Sequence, residues 1–315
     1  MNYQYLLQRL VLALLVAWGV TLAVFLIVQL VPGDPARVVL GVQANEDNIN
    51  AMRERMGLNR PMVVQYVDWV GGILRGDFGK SLITAQSVSE QIRSRLPATL
   101  SLAFASLFIG LLIAFPLGII SAMYPRSKVD LVASVVSQIG VSIPDFWLGI
   151  LLILLFSLQL EWLPPSGYAP MSEGIGEWLS HLILPATTAG LISGSIQTRF
   201  IRSAMLEVLG ENYIRTAHAK GLSRMRVIQR HALRNAMITI ITIIGLQMTA
   251  LFSAVVVVEI VFAFPGLGQL ALNAVLDRDY PLLQGSVLTL ALIVTFINLM
   301  VDMMYFFLDP RIEYA

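Results

Sequence analysis

The sequence predicts an all-α, polytopic membrane protein with six transmembrane helices and both termini in the cytoplasm. Three observations carry this reading. Hydrophobic residues make up 57% of the chain and charged residues only 13%, against about 25% charged in an average soluble domain. Several apolar runs exceed the roughly 18 residues at which a helix spans a bilayer. Basic residues also collect in segments that alternate with those runs, as positive-inside placement requires. There is no cysteine, which excludes disulfides and thiolate metal sites. Three scattered histidines do not make a zinc site.

Leu10–Gly33 is uncharged, with Arg9 before it and Asp34 after it. It is longer than a signal-peptide core of roughly 7–15 residues, and no A-x-A cleavage site follows. It therefore reads as a retained first helix with Arg9 inside, ended by Pro32, Gly33 and Pro35. Asp34–Arg95 is then external. Its eight basic and seven acidic residues do not oppose this, because long loops obey the positive-inside rule poorly. Within it, 48–58 and 62–74 read as short amphipathic helices broken at Asn59, Arg60 and Pro61. Gly71, Gly72, Gly76 and Gly79 make 71–81 a loop.

Thr99–Met123 is the second membrane helix. Gly110, Ala114, Gly118 and Ala122 recur there every fourth residue, a stripe suited to close contact with another helix. Arg126 and Lys128 mark an internal turn. Val129–Gln159 is the third segment, with a kink expected at Pro144. Residues 161–177 hold three glutamates and no Lys or Arg, which fits an external loop. His181–Thr198 is the fourth segment; with its Ser, Thr, Gln and Gly content it should be buried among protein helices. Ala236–Ala263 and Leu283–Leu308 complete the six, and the tail returns inside. The inner segments then hold twelve of the 21 Lys and Arg residues, and the short outer loops only Arg278.

The one long polar stretch set deep in the chain is 199–235, with eight Lys and Arg residues against Glu207 and Glu211. It lacks a nucleic-acid recognition motif, and its basic residues alternate with apolar ones. It reads as a pair of short helices separated at Gly221, Leu222 and Ser223, compact enough to dock in another protein's groove. A solvated, positively charged loop is the plainer reading.

Polar groups inside the apolar segments have two readings each. Glu259 lies about 34 Å along an ideal helix from Ala236, near the outer rim; it either acts in function or caps amides of Phe264, Gly266 or Gly268. Asp145 either lines a path or satisfies backbone groups freed around Pro144. Thr242, Gly245, Thr249 and Ser253 recur at helical spacing, as a pathway face or as helix contacts. Asp302, near the inner end of the last segment, fits a structural role.

At 213–222 the chain reads YIRTAHAKGL, followed by HALRN at 231–235. This closely resembles the coupling loop of permeases from bacterial binding-protein-dependent ABC importers, in its dipeptide/oligopeptide version. Gly221 stands at the motif glycine, and Arg215, Thr216 and Ala217 at the triplet six residues before it. His218 stands where that branch often has arginine. Further matches run in order along the chain: LVPGDP at 30–35, Gly57 and Leu58 with Pro61, GDFG at 76–79, SIP at 142–144, SAMLE at 203–207, Glu211, Glu259, Phe262, PGLG at 265–268, RDYP at 278–281 and DPRI at 309–312.

The resemblance implies a type I importer permease fold. It divides the chain into a first helix with a long periplasmic segment (1–98), a permease core with its cytoplasmic coupling loop (99–308) and a tail (309–315). The implied partners are a second homologous permease, two ATP-binding cassette subunits, a periplasmic or lipid-anchored binding protein and membrane lipids, with no nucleic acid. The coupling segment is Glu211, Tyr213, Ile214, Arg215, Thr216, Ala217, His218, Ala219, Lys220, Gly221 and Leu222. Beyond the resemblance, the residues themselves offer a gate or pathway set: Asp145, Thr242, Gly245, Thr249, Ser253, Glu259, Pro265, Gly266 and Gly268. No phosphate loop G-x-x-x-x-G-K-[ST] occurs, so ATP and Mg²⁺ are expected on the partner ATPases, with no cofactor on this chain.

Dipeptides or oligopeptides are the expected cargo, with glutathione or a nickel complex as alternatives within the same architecture. An ion-coupled secondary transporter would need several midplane charges and broken helices in both halves. Only Asp145 is a clear central candidate. An intramembrane enzyme would need H-E-x-x-H, paired carboxylates or G-x-S-x-G, and none occurs.

Overall fold

A computed structural model of the chain describes residues 3–30, 34–40 and 45–308. The described residues are almost entirely helical, with one isolated antiparallel bridge between Lys80 and Ser87. Pro32 and Gly33 of the first punctuation, and the tail 309–315, lie outside them. Among the described residues, five helices are long and apolar enough to cross a membrane, or up to six if one bent pair counts as a single span. The chain forms two compact units, one of residues 1–99 with 265–296 and one of residues 100–264 with 297–315.

The first unit starts with α1 (Tyr3–Leu30), an apolar helix with Leu10, Leu14, Trp18 and Ile27 exposed. In water this surface would be a liability; in lipid it is solvated. Arg9 lies inside α1 rather than ahead of it, because the charge-free run continues a helix that begins two turns earlier. Then come α2 (Pro35–Leu40), α3 (Glu46–Arg55) and α4 (Met62–Leu74). Asn45 starts α3 by accepting the N–H of Asn48 at 2.8 Å, the N-cap arrangement. α4 leans on α1 through Phe25, Tyr66 and Trp69 and a 2.7 Å contact between the Thr21 and Tyr66 hydroxyls. Gly71 and Gly72 are helical, so the loop expected at 71–81 begins only after Leu74.

The second membrane helix, α5 (Val88–Met123), starts three turns before the expected Thr99. Ser87 and Glu90 supply an S-x-x-E start. At about 1.5 Å per residue, 36 residues overshoot a 30 Å core, so the charged first turns need not enter lipid. Beyond the expected elements, α12 (Leu267–Leu276) precedes the last span, α13 (Tyr280–Leu308). Val88, Ile92, Leu267, Leu270, Ala274 and Leu282 form the core of this unit. Buried Asp279 fixes its turns, accepting from the Ser81 hydroxyl at 2.5 Å and the Leu82 N–H at 3.1 Å.

The second unit contains the rest of α5, then α6 (Lys128–Ser142), α7 (Asp145–Leu152) with a π-helical end (Ile153–Gln159), and α8 (Ile175–Leu209). Pro144 does more than kink the third segment: the axes on its two sides differ by 101°. The Pro144 nitrogen has no proton to donate and its ring blocks the preceding turn. α8 is the most buried candidate span, as its polarity predicts. Thr188, Ser195 and Thr198 return their hydroxyl protons to carbonyls one turn back, so none needs water.

The small-residue stripes pack face to face. A Cβ on Gly194 would stand 2.8 Å from the Gly110 carbonyl oxygen, and one on Gly190 2.8 Å from that of Ser106. α6 closes on the same helix, where a Cβ on Gly140 would overlap the Ser195 hydroxyl. Gly194→Val should therefore destabilise by about 1–3 kcal/mol, the cost of overpacking. Gly19→Val, with open space around it, should be close to neutral. Thermal unfolding in detergent monitored by size-exclusion recovery checks the contrast.

Candidate functional site

The stretch 199–235 folds differently from a solvated loop. Residues 199–209 continue α8. The short helix α9 (Asn212–Ala219) follows, and α10 (Arg224–Val227) runs through a π-helical turn (Ile228–Ala232) into α11 (Leu233–Val261). The break at 221–223 is as expected, but the second helix of the expected pair is the N-terminal end of a 38-residue span, Arg224–Val261. The fifth membrane helix thus begins at Arg224, not Ala236, because its basic first turns lie ahead of the uncharged run.

α9 is held by one face. Ile214 and Ala217 are buried, whereas Tyr213, Arg215, Thr216, His218, Ala219 and Lys220 are exposed. The buried pair joins a core with Ile201, Met205, Val227, Ile228, Ala232 and Ala236, with Leu222 packed against it. Glu211 is the extended residue before the helix. The Asn235 amide donates to the Tyr213 hydroxyl at 2.9 Å, tying the helix to the start of α11.

Gly221 ends α9 with φ +77°. Its N–H donates to the His218 carbonyl at 2.9 Å and that of Leu222 to the Ala217 carbonyl at 3.4 Å. This is the Schellman closure, with a left-handed residue in the position glycine fills best. The motif glycine therefore has a backbone reason, since a Cβ there would meet open space.

A second cluster lies beside this element and was not singled out in the sequence. Asp130, at the start of α6, accepts a forked pair of bonds from Arg202 of α8, Nε to Oδ1 at 2.7 Å and Nη2 to Oδ2 at 2.8 Å. The Ser121 hydroxyl donates to the same carboxylate at 2.5 Å, and the backbone N–H of Arg126 at 2.8 Å. Arg126 is itself left-handed, φ +61°, so the carboxylate secures a tight α5–α6 turn. The faint signal was Ser127 with Asp130 three residues on, an N-cap and first-turn acid. On the other side of that turn, the Arg224 guanidinium lies 4.6 Å from the Tyr124 ring centre and donates to the Met123 carbonyl.

Asp145 is half-buried in the first turn of α7, where an acid suits the positive end of the helix that restarts after Pro144. Thr242 returns its proton to Ile238. Gly245 makes room for Val301 of α13, and Thr249 donates to Asn298 of α13 at 3.2 Å. Most of that stripe is thus engaged within the chain, although Thr249 and Ser253 remain exposed. Asp302 is half-buried and engaged in a polar contact.

Glu259 is completely buried on α11 and has a polar partner. Its main-chain carbonyl accepts the Phe264 N–H at 2.8 Å, and the Phe262 carbonyl accepts that of Gly167 at 3.0 Å. Phe264 packs edge-on to Tyr168, with 5.1 Å between ring centres. Burial pushes the Tyr168 phenol above its usual range, against a hydrogen bond with Ser101 that lowers it. The turn 262–264 is thereby clamped by the loop 163–170. Pro265 and Gly266 lead into α12, where the Leu267 N–H donates to the Thr99 hydroxyl at 2.8 Å, and Gly268 is buried in its first turn.

Replacing Gly221 by alanine should cost about 1–2 kcal/mol through the left-handed conformation alone. Faster amide hydrogen exchange across 212–222, with unchanged exchange in α8, is the expected readout.

Comparison with known proteins agrees with this geometry. The family profile "Binding-protein-dependent transport system inner membrane component" matches residues 114–314, and the corresponding N-terminal profile matches residues 2–103. The glutathione transport system permease protein GsiC of Salmonella typhi is 41% identical over 98% of this chain and 99% of its own length. The oligopeptide transport system permease protein AppB of Bacillus subtilis is 39% identical over 98% and 99%. Among solved structures, the MetNI methionine ABC transporter in inward-facing conformations superposes with a TM-score of 0.59 at 18% identity, covering 69% of this chain and 96% of that one. At that identity the likeness concerns the fold: mostly helical, with the architecture of a type I importer permease. Together these place the chain in the family of multi-pass inner-membrane components of binding-protein-dependent transport systems, as a transport subunit.

Proposed function

We propose that this chain forms half of the translocation pathway of an ATP-driven importer of dipeptides or oligopeptides. The observation that carries the reading is α9: a short helix anchored by Ile214 and Ala217, closed by Gly221, with its opposite face presented outward. A rigid, one-sided element of this kind suits docking into a groove of an ATP-binding cassette subunit. In this reading both termini and α9 lie in the cytoplasm, two such ATPases bind ATP and Mg²⁺, and this chain holds neither. A second homologous permease completes the pathway, and a binding protein delivers cargo from outside. Peptides are favoured because full-length relatives, AppB among them, carry peptide-transport names. Glutathione, itself a tripeptide, is the second reading, favoured by the 41% identity to GsiC.

Glu259 and the turn 262–268 are assigned to the gate. A buried carboxylate on a membrane helix is by default a candidate for function. In reconstituted complexes carrying Glu259→Gln, coupled peptide uptake should fall while assembly with the partners persists. Unchanged uptake would remove the gate from this account. Separately, Ala219→Cys should cross-link to a cysteine placed in the ATPase groove; failure at every groove position would sink the docking role of α9. Uptake assays with di-, tri- and oligopeptides and with glutathione, using the co-encoded binding protein, decide the cargo.

A further inference from the structure

We propose that the α5–α6 turn, residues 121–130, is the receiver of the movement of α9, gripped by Arg202 and Arg224 on the two flanks of the coupling segment. This rests on the docking of α9 proposed above. Arg202 lies two turns before the end of α8, and Arg224 three residues after Gly221. The two arginines thus bracket the segment that would be pushed. Both reach the same turn, across 72 residues for Arg202 to Asp130 and 101 for Arg224 to Met123.

The chemistry of the two ties differs in a useful way. Arg202 and Asp130 share two parallel bonds, and a forked pair fixes direction as well as distance. The carboxylate is also held by Ser121 and by the Arg126 N–H, so it cannot swing with the arginine alone. Arg224 supplies the second tie through a carbonyl bond and a ring contact with Tyr124.

The backbone route out of the segment is less direct. Beyond Arg224 the chain passes through the π-helical turn Ile228–Ala232, a local departure from regular helix of the kind often found at functional sites. Ahead of α9 it passes Gly210. The contact from Arg224 bypasses the π-helical turn, while Arg202 holds the inner end of α8 to the start of α6. The inner ends of α5, α6 and α8 and the exit of the coupling segment then move as one body.

The test uses the complete transporter in nanodiscs. This chain has no cysteine of its own, so Lys128→Cys with Asn212→Cys, at the exposed first residue of α9, places two spin labels. Pulsed electron spin resonance should give the same narrow distance in the nucleotide-free and the vanadate-trapped state. Adding Arg202→Lys with Arg224→Gln should make that distance state-dependent, and ATP consumed per peptide imported should rise about fivefold or more. Arg224→Gln alone, on an exposed side chain, should give a smaller rise in the same ratio and guards against misfolding of the double variant.

A distance that changes between states in the parent overturns the proposal, as does an unchanged ATP-to-peptide ratio in both variants. Cross-linking of Ala219→Cys to the ATPase separates the two claims. If it forms while the ratio is unchanged, only the bracing fails. If it never forms, the docking of α9 fails and the bracing with it.

Discussion

Lipid tails are as apolar as leucine, so burying apolar surface gives membrane helices little reason to associate; close packing and polar contacts must do it. In the second unit that constraint is met by the contact of α5 with α8. Backbone meets backbone where Gly110 faces Gly190 and Gly194, at distances that leave no room for a Cβ. Dispersion is weak per atom pair and falls off quickly with a gap, so a contact this close depends on glycine. α6, α7 and α11 then pack on the same helix, α8. Its polarity follows from this position: hydroxyls that would be costly in lipid are sheltered and satisfied by carbonyls four residues back.

The same helix continues past the apolar region without a break until Leu209, which gives α9 a stiff base. Arg202 sits on that extension, and its pairing with Asp130 is half-sheltered, with side chains 30% and 8% exposed. Removing one partner would leave a charge poorly solvated, a loss of about 1.5–3 kcal/mol by the worth of hydrogen bonds to charged groups. The pair is better regarded as a positional device than as a source of net stability, since sheltered ion pairs lose much of their Coulomb attraction to desolvation.

Much of this was legible in the sequence because the signals were local. Periodic glycines in 110–118 announce a close contact with some other helix, the polarity of 181–198 announces burial, and the ten residues 213–222 announce a short helix that ends at Gly221. What was missed depends on contacts distant in sequence. Asp130 and Arg202 stand 72 residues apart, and neither looks unusual alone: one resembles a helix-start acid, the other one positive-inside charge among many. Helix limits were misjudged for a related reason. Charge at Arg95 and before Ala236 suggests the end of a helix, but it marks only the end of the apolar environment, and the hydrogen-bonded ladder continues beyond it in α5 and in Arg224–Val261.

Pro144 shows how far a local rule carries. The missing donor and the ring clash required a distortion, yet they do not set its size. The 101° bend is possible because both sides are supported: Gly140 lets α6 approach α8 at Ser195, and Gly149 lets α7 approach Thr188 and Phe262. Two glycines, four and five residues from the proline, thus receive the two arms of the break. Asp145, an acid in the first turn of α7, suits the positive end of the restarted helix. Glu259 stands differently: it is buried near the end of α11, a helix with no proline break.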